Sequence, residues 1–116
     1  MIHYMNLHSG PFSTIRSGMK TIELRLYDEK RRRIREGDTI VFTCGDQTLT
    51  AEVKALHRFS DFAALYAALP LEKCGYFPEE VATASPADMN VYYSAEKQSH
   101  YGVVGIEIRL VQEETQ

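Results

Sequence analysis

The chain has 116 residues, of which 44% are hydrophobic and 25% are charged. This length suits one compact domain over residues 1–116, and the globular composition excludes the disordered and fibrous classes. The formal net charge of −3 excludes a protein that coats nucleic acid by bulk electrostatics, although it is compatible with a local basic surface. No apolar run approaches the roughly 18–20 residues that span a bilayer, and no secretory signal is visible. We therefore expect a cytoplasmic protein without a membrane partner.

The first half of the chain predicts several strands and little helix. Residues 20–26 alternate between apolar and polar side chains, which indicates a half-buried strand, and Gly37-Asp38 is a turn signal that opens another strand. The alternation of apolar and polar residues in 48–59 changes phase near Leu56, which indicates a bulge or a bend. In chain order the predicted elements are a strand at 3–7, a short helix at 12–16, a strand at 20–26, an exposed turn or single helical turn at 28–36, and a hairpin of strands at 39–44 and 48–59.

The second half predicts two helices and a closing strand. Apolar residues recur at helical spacing in residues 61–69, which predicts the first helix. Ser85-Pro86-Ala87-Asp88 resembles a capping box and predicts a second helix that carries Tyr92 and Tyr93. Residues 71–84 are predicted to be irregular, and the alternation of residues 101–111 predicts the last strand.

These elements predict a mixed α+β, β-rich fold. Strands joined by short helices, without regular βαβ alternation, favour a small curled sheet or barrel whose helices cover one opening. Within the last strand, Gly105 marks a bend or a position where another group approaches the backbone closely.

The most informative segment places Lys20, Glu23 and Arg25 on or beside a strand that is otherwise apolar. Charges on a core element are costly unless they pair with one another or line a cleft. Glu23 and Arg25 are two residues apart and therefore share one face of the strand. The segment predicts a binding or catalytic site, and the alternative is an ion pair on an exposed strand face.

Basic and aromatic residues supply further candidate ligand contacts. The run that contains Arg31, Arg32 and Arg33 is either a solvated turn or a surface that contacts phosphates. Tyr92, Tyr93 and Tyr101 are able to stack on a base or pack in the core, and we expect one of them to face the cleft.

Histidines and cysteines give no indication of a metal or another cofactor. The histidines lack the spacing of metal ligands, and Cys44 and Cys74 are too far apart in sequence for a C-x-x-C motif. A reduced cysteine pair fits the expected cytoplasmic location, with a disulfide as the alternative.

The pattern Gly18-x-Lys20-x-x-Glu23-x-Arg25, together with Gly37-Asp38, Tyr92-Tyr93 and Tyr101-Gly102-Val103-Val104, resembles the ASCH domain family. The resemblance runs from about residue 3 to residue 111. It implies a PUA-like β-barrel, a superfold found in many RNA-modifying proteins. It also implies that Lys20, Glu23 and Arg25 line a cleft for a nucleotide or single-stranded RNA.

The same resemblance raises an enzymatic alternative. Some family members are amidohydrolases that remove an acyl group from a modified cytidine with a lysine, a threonine and a glutamate. This chain has the lysine, Lys20, but Glu23 stands where those enzymes have threonine. The candidates for the downstream glutamate are Glu72, Glu79 and Glu80.

We therefore expect a protein that binds RNA or a nucleotide through a charged cleft. The expected ligand contacts are Lys20, Glu23, Arg25, Arg31, Arg32, Arg33, Tyr93 and Tyr101. The alternative is a hydrolase acting on N4-acetylcytidine, with Lys20 as base or nucleophile and Glu23 positioning water or the leaving amine. An RNA-cleaving hydrolase and a protein-interaction module are further options, and the oligomeric state stays open.

Overall fold

A computed structural model describes residues 1–111 of the chain. Its strands are β1 (Ile2–Asn6), β2 (Ile22–Leu26), β3 (Thr39–Cys44), β4 (Gln47–Phe59) and β5 (Val103–Leu110). They form one five-stranded sheet in the order β1-β3-β4-β5-β2, so that β1 and β2 are its edges. The β1 and β3 strands are parallel, and the other neighbouring pairs are antiparallel.

The sheet curls into a half-barrel. Its longest strand, β4, has an irregular register between Val53 and Ala55 where it pairs with β5. Such a bulge bends the strand and increases its twist, which helps the sheet curve around its inner face. The predicted bulge is therefore present, but it lies slightly before Leu56. The predicted β-rich α+β fold is confirmed, and the barrel is open between β1 and β2.

Short helices connect the strands. They are α1 (Ser9–Arg16), α2 (Glu29–Arg32), α3 (Phe62–Ala68) and α4 (Ala95–Tyr101), and 3₁₀ turns lie at Leu71–Cys74, Pro78–Thr83 and Pro86–Val91. Side chains of Asp28, Asp61 and Ser94 accept hydrogen bonds from backbone N–H groups in the first turns of α2, α3 and α4. These bonds satisfy donors that have no partner within a helix.

The second half differs from the sequence-based prediction in two places. The capping box at Ser85 is present, but it opens a 3₁₀ turn, and Tyr92 and Tyr93 follow that turn instead of lying within it. The α4 helix was not predicted, because its sequence AEKQSHY has no apolar stripe to give a helical period.

Each face of the half-barrel is covered by its own apolar cluster. On the inner face, Phe12 of α1 and Ile34 pack against residues such as Phe42 of β3. On the outer face, Phe62 and Leu65 of α3 pack against the apolar side chains of β2. The β2 strand is thus buried on both faces. None of the helices within residues 1–111 is long and apolar enough to traverse a lipid bilayer.

The outer cluster depends on a glycine in β5. A Cβ atom on Gly105 would lie 2.8 Å from Cδ1 of Leu69 and 3.1 Å from Cγ2 of Ile22. These distances are too short for ordinary contact, so a larger residue requires the side chains of Leu69 and Ile22 to shift. The predicted close approach at Gly105 is confirmed.

We expect Gly105→Ala to lower the free energy of unfolding by roughly 1–3 kcal/mol, because the added methyl group overpacks the outer cluster. Chemical denaturation followed by circular dichroism measures this change. The matched control is Gly10→Ala in α1, where a Cβ atom would meet nothing within 4 Å. Equal stabilities of the two variants would contradict the packing role of Gly105.

Candidate functional site

The β2 strand directs its charged residues to the inner face of the half-barrel. Glu23 pairs with Ile106 of β5, and Arg25 pairs with Val104, both of which belong to the inner cluster. Residues paired across neighbouring strands share a face, so the two charged side chains enter an apolar interior. Glu23 is accordingly only 4% exposed. The alternative of an ion pair on an exposed strand face is wrong.

Glu23 is held between two cations. Nζ of Lys20 lies 2.8 Å from Oε1 of Glu23, and Nε of Arg25 lies 2.9 Å from Oε2. Burial alone would raise the pKa of Glu23, but the nearby ammonium and guanidinium groups outweigh burial and lower it below the usual glutamate value. Glu23 is therefore an ionised carboxylate at neutral pH. Two cations and one anion leave the cluster with a net charge of +1.

Backbone contacts place Lys20 at the entrance to β2. Its backbone N–H donates to the carbonyl of Thr14 at the end of α1. The backbone of Gly75, which has a φ of +110°, lies beside the Lys20 side chain, and a Cβ atom there would be 3.2 Å from Cδ of Lys20. Gly75 thus supplies both the turn and the space that the lysine stem occupies.

Arg25 also connects the two edges of the sheet. While its Nε binds Glu23, its Nη2 donates to the carbonyl oxygen of Asn6 in β1, at 3.0 Å. The guanidinium therefore bridges the opening between β2 and β1. A guanidinium has five N–H groups and an ammonium three, so these bonds leave further donors on Arg25 and Lys20 for a ligand.

A cavity of about 780 Å³ opens at this charged cluster. Lys20, Glu23 and Arg25 all line it. Its other walls come from the start of α1, from the segment 74–77 and from the residues that follow the last 3₁₀ turn. A cavity of this size, with apolar walls and a few convergent polar groups, is typical of small-molecule sites.

Three cavity residues form a hydrogen-bonded chain that the sequence did not predict. The hydroxyl groups of Tyr66 and Tyr76 are 2.7 Å apart, and the Tyr76 hydroxyl donates to Oδ2 of Asp88 at 2.7 Å. All three residues line the cavity. Burial raises the pKa of Tyr66, and the hydrogen bond from Tyr76 lowers the pKa of Asp88. The only signal in the sequence was Asp88 in its capping box, which indicated a turn and not a site.

Two of the three candidate tyrosines reach the cavity, where the sequence predicted only one. Tyr93 lines the cavity, as does Tyr92, and the Tyr93 ring stacks on Phe62 with 6.3 Å between centroids. Burial raises the pKa of the Tyr93 hydroxyl, which therefore stays protonated. Tyr101 instead packs against the outer cluster and lies outside the lining of the cavity.

One of the three candidate glutamates reaches the cavity. Glu80 lines it, whereas Glu72 and Glu79 do not. Its Oε1 accepts a hydrogen bond from the backbone N–H of Phe77 at 2.9 Å, which completes the capping of the 3₁₀ turn at Pro78–Thr83. Glu80 thus has a local structural partner in addition to its place at the cavity wall.

The basic run does not line the cavity. Arg31 pairs with Asp28 at 3.1 Å, and the guanidinium of Arg32 lies 4.6 Å from the centre of the Tyr27 ring. Arg33 follows α2 and is exposed. Arg32 is exposed as well, whereas the Arg31 side chain is only 15% exposed and its buried Nε has no hydrogen-bond partner among the described residues. None of the three arginines lines the cavity with Lys20, Glu23 and Arg25.

Within residues 1–111, no three histidine, cysteine or acidic side chains are grouped to hold a metal ion. Cys44 and Cys74 are free thiols. Burial raises the pKa of Cys74 to about 11, so this cavity residue is protonated at neutral pH.

We expect Glu23→Gln to lower the free energy of unfolding by roughly 1.5–3 kcal/mol, because the change removes the charge-assisted hydrogen bonds that Glu23 accepts from two partly buried cations. The matched control is Glu52→Gln, since Glu52 also lies between a lysine and an arginine, 3.7 Å from Nζ of Lys54 and 3.3 Å from Nη2 of Arg109, but at the surface. Surface pairs contribute about 0–1 kcal/mol. Denaturation measurements that show equal losses would contradict the buried role of Glu23.

Solved structures show the same fold. The crystal structure of the hypothetical protein PH0355 is 35% identical, with a TM-score of 0.79, over 96% of this chain and 100% of its own. The solution NMR structure of protein PF0455 from Pyrococcus furiosus is also 35% identical, with a TM-score of 0.71, over 97% of this chain and 100% of its own. The crystal structure of ASCH from Zymomonas mobilis has a TM-score of 0.58 at 17% identity, over 93% of this chain and 66% of that chain.

The sequence itself matches a known family. No curated protein sequence matches the chain. The family model described as the ASCH domain matches residues 5–112, which is nearly the whole chain. The match confirms the resemblance drawn from the Lys20–Arg25 segment, and the chain belongs to the ASCH domain family.

Proposed function

We propose that this ASCH protein binds a nucleotide, or one nucleotide of a single-stranded RNA, in the cavity beside Lys20, Glu23 and Arg25. The observation that supports this function is a buried ionic cluster with a net positive charge at the wall of a cavity of about 780 Å³. Such a cluster is costly in an apolar interior, and an anionic or carbonyl-bearing ligand would satisfy its remaining donors.

The aromatic walls support a ligand with a flat ring. Tyr93 lines the cavity, and the exposed rings of Phe77 and Tyr92 stand at its walls as well. Stacking on aromatic side chains contributes about 1–3 kcal/mol per base in proteins that bind single strands. A base stacked near Tyr93 would place its polar edge, or its phosphate, within reach of Lys20 and Arg25.

The three arginines of the basic run have a secondary role in this proposal. Arg31, Arg32 and Arg33 lie outside the cavity, so they would contact only the phosphates of a chain longer than one nucleotide. Tyr101 has no part in ligand contact. A cytoplasmic location is compatible with an RNA ligand and remains a prediction.

We expect Lys20→Met to weaken binding of a single-stranded RNA containing all four bases by roughly 10- to 100-fold, because a charge-assisted hydrogen bond is lost. Fluorescence anisotropy measures this affinity. Lys54→Met, which removes a lysine outside the cavity, is the matched control, and Lys20→Arg, which keeps the positive charge, should retain most of the binding. Equal affinities of Lys20→Met and Lys54→Met, both folded by circular dichroism, would overturn the proposal.

A second candidate function is hydrolysis of an acylated cytidine. It is favoured by the observation that Thr14 and Glu80 line the same cavity as Lys20, so that a lysine, a threonine and a glutamate surround one space. The Thr14 hydroxyl donates a hydrogen bond to the carbonyl oxygen of Pro11 at 3.0 Å. The Lys20 ammonium is paired with the carboxylate of Glu23. A substrate would therefore have to draw Lys20 away from Glu23 before Lys20 could accept a proton.

For this second function, incubation of the protein with N4-acetylcytidine should release cytidine and acetate as water replaces the amine at the acyl carbon. Chromatography of the products measures turnover. Lys20→Met should abolish the reaction and Lys54→Met should not. Release of cytidine at the rate seen in buffer alone would eliminate this function and leave the binding function as the better account.

A further inference from the structure

The chain of Tyr66, Tyr76 and Asp88 faces the same cavity as the charged cluster but differs from it in chemistry. Lys20 and Arg25 offer N–H donors, whereas a phenol oxygen and a carboxylate are able to accept hydrogen bonds. The direction of the hydrogen bonds within the chain decides which role these oxygens have toward a ligand.

The proton positions follow from counting hydrogens. The Tyr76 hydroxyl has one hydrogen and gives it to Oδ2 of Asp88 at 2.7 Å. The bond of 2.7 Å between Tyr66 and Tyr76 must therefore use the hydrogen of Tyr66. Both hydroxyl hydrogens are thus committed inside the chain, and the Tyr66 oxygen faces the cavity only as an acceptor.

Asp88 adds a second acceptor. Its Oδ2 receives the hydrogen bond from Tyr76 and another, at 3.1 Å, from the backbone N–H of Ser85. These two bonds leave Oδ1 to solvent or to a ligand. Because the carboxylate is ionised, it polarises the chain toward itself and strengthens the preference for a donor at this wall.

We propose that the Tyr66–Tyr76–Asp88 chain is a specificity site that selects nucleobases bearing an exocyclic amino group. This inference rests on the proposed nucleotide-binding function. An amino group donates hydrogen bonds, which the Tyr66 oxygen and Oδ1 of Asp88 accept. A carbonyl oxygen in the same place meets an acceptor at both of these atoms and binds more weakly, because neither atom replaces the hydrogen bond to its bound water.

The charged cluster in the same cavity reinforces the choice. Lys20 and Arg25 supply donors to a ring nitrogen, a carbonyl or a phosphate of the same ligand. The cavity therefore has a donor wall and an acceptor wall, and a ligand must present acceptors to one and an amino group to the other.

The test compares ligands that differ by an amino group in place of a carbonyl. Calorimetry or NMR titration measures binding of AMP against IMP and of CMP against UMP. The amino member of at least one pair should bind roughly three- to tenfold more tightly. Tyr66→Phe should bring that ratio toward one, since it removes the acceptor while the bond from Tyr76 to Asp88 remains. Tyr4→Phe, which removes a hydroxyl outside the cavity, should leave the ratio unchanged.

The outcomes distinguish this inference from the function on which it rests. If all four nucleotides bind with equal affinity and Lys20→Met weakens them all, the specificity site is refuted and nucleotide binding stands. If an amino preference persists in both Tyr66→Phe and Asp88→Asn, the chain is a structural link only. If none of the four nucleotides binds while single-stranded RNA does, the specificity site is refuted and the RNA-binding function stands. If neither the nucleotides nor the RNA binds, both proposals fail together.

Discussion

The ionised carboxylate of Glu23 lies on the inner face of a curled sheet. Its ion pairs with the two neighbouring cations offset the free-energy cost of burying a charge there. Glu23 faces Ile106 across the strand pair and shares the interior with a large apolar cluster. An unpaired carboxylate there would either take up a proton or open the sheet. Its pairing with Lys20 and Arg25 links the entrance of β2, the interior and, through Arg25, the opposite edge of the half-barrel.

The sequence predicted this cluster because apolar and polar residues clearly alternate in β2. Charged residues on such a strand are costly unless they pair with one another or line a cleft. The apolar positions Ile22, Leu24 and Leu26 identified one buried face correctly. The alternating pattern does not predict that the charged face of β2 is also buried. That depends on α1 and on β5, whose contacts with β2 come from distant parts of the chain. The sequence therefore predicted the curled sheet and the family, but it did not predict how far the charged residues are buried.

The hydrogen-bonded chain at the cavity was not predictable from the sequence. Tyr66 lies at the end of a helix, while Tyr76 and Asp88 lie in a region of 3₁₀ turns that has no regular period. A hydrogen-bonded chain among them exists only because the fold brings these segments together. The basic run shows the converse, since local charge density suggested a ligand surface, yet Arg31 and Arg32 are engaged with Asp28 and Tyr27.

The open side of the half-barrel has a consequence for the behaviour of the protein at high concentration. An edge strand with bare backbone groups is a template onto which another chain adds a strand, and this is a common route to aggregation. Here the Arg25 guanidinium donates a hydrogen bond to the carbonyl oxygen of Asn6, and the Lys30 ammonium donates one to the carbonyl oxygen of Tyr4 at 2.8 Å. A β-strand from a neighbouring molecule would have to displace two cations to pair with β1. The side chains that close the barrel opening therefore also discourage self-association through this edge.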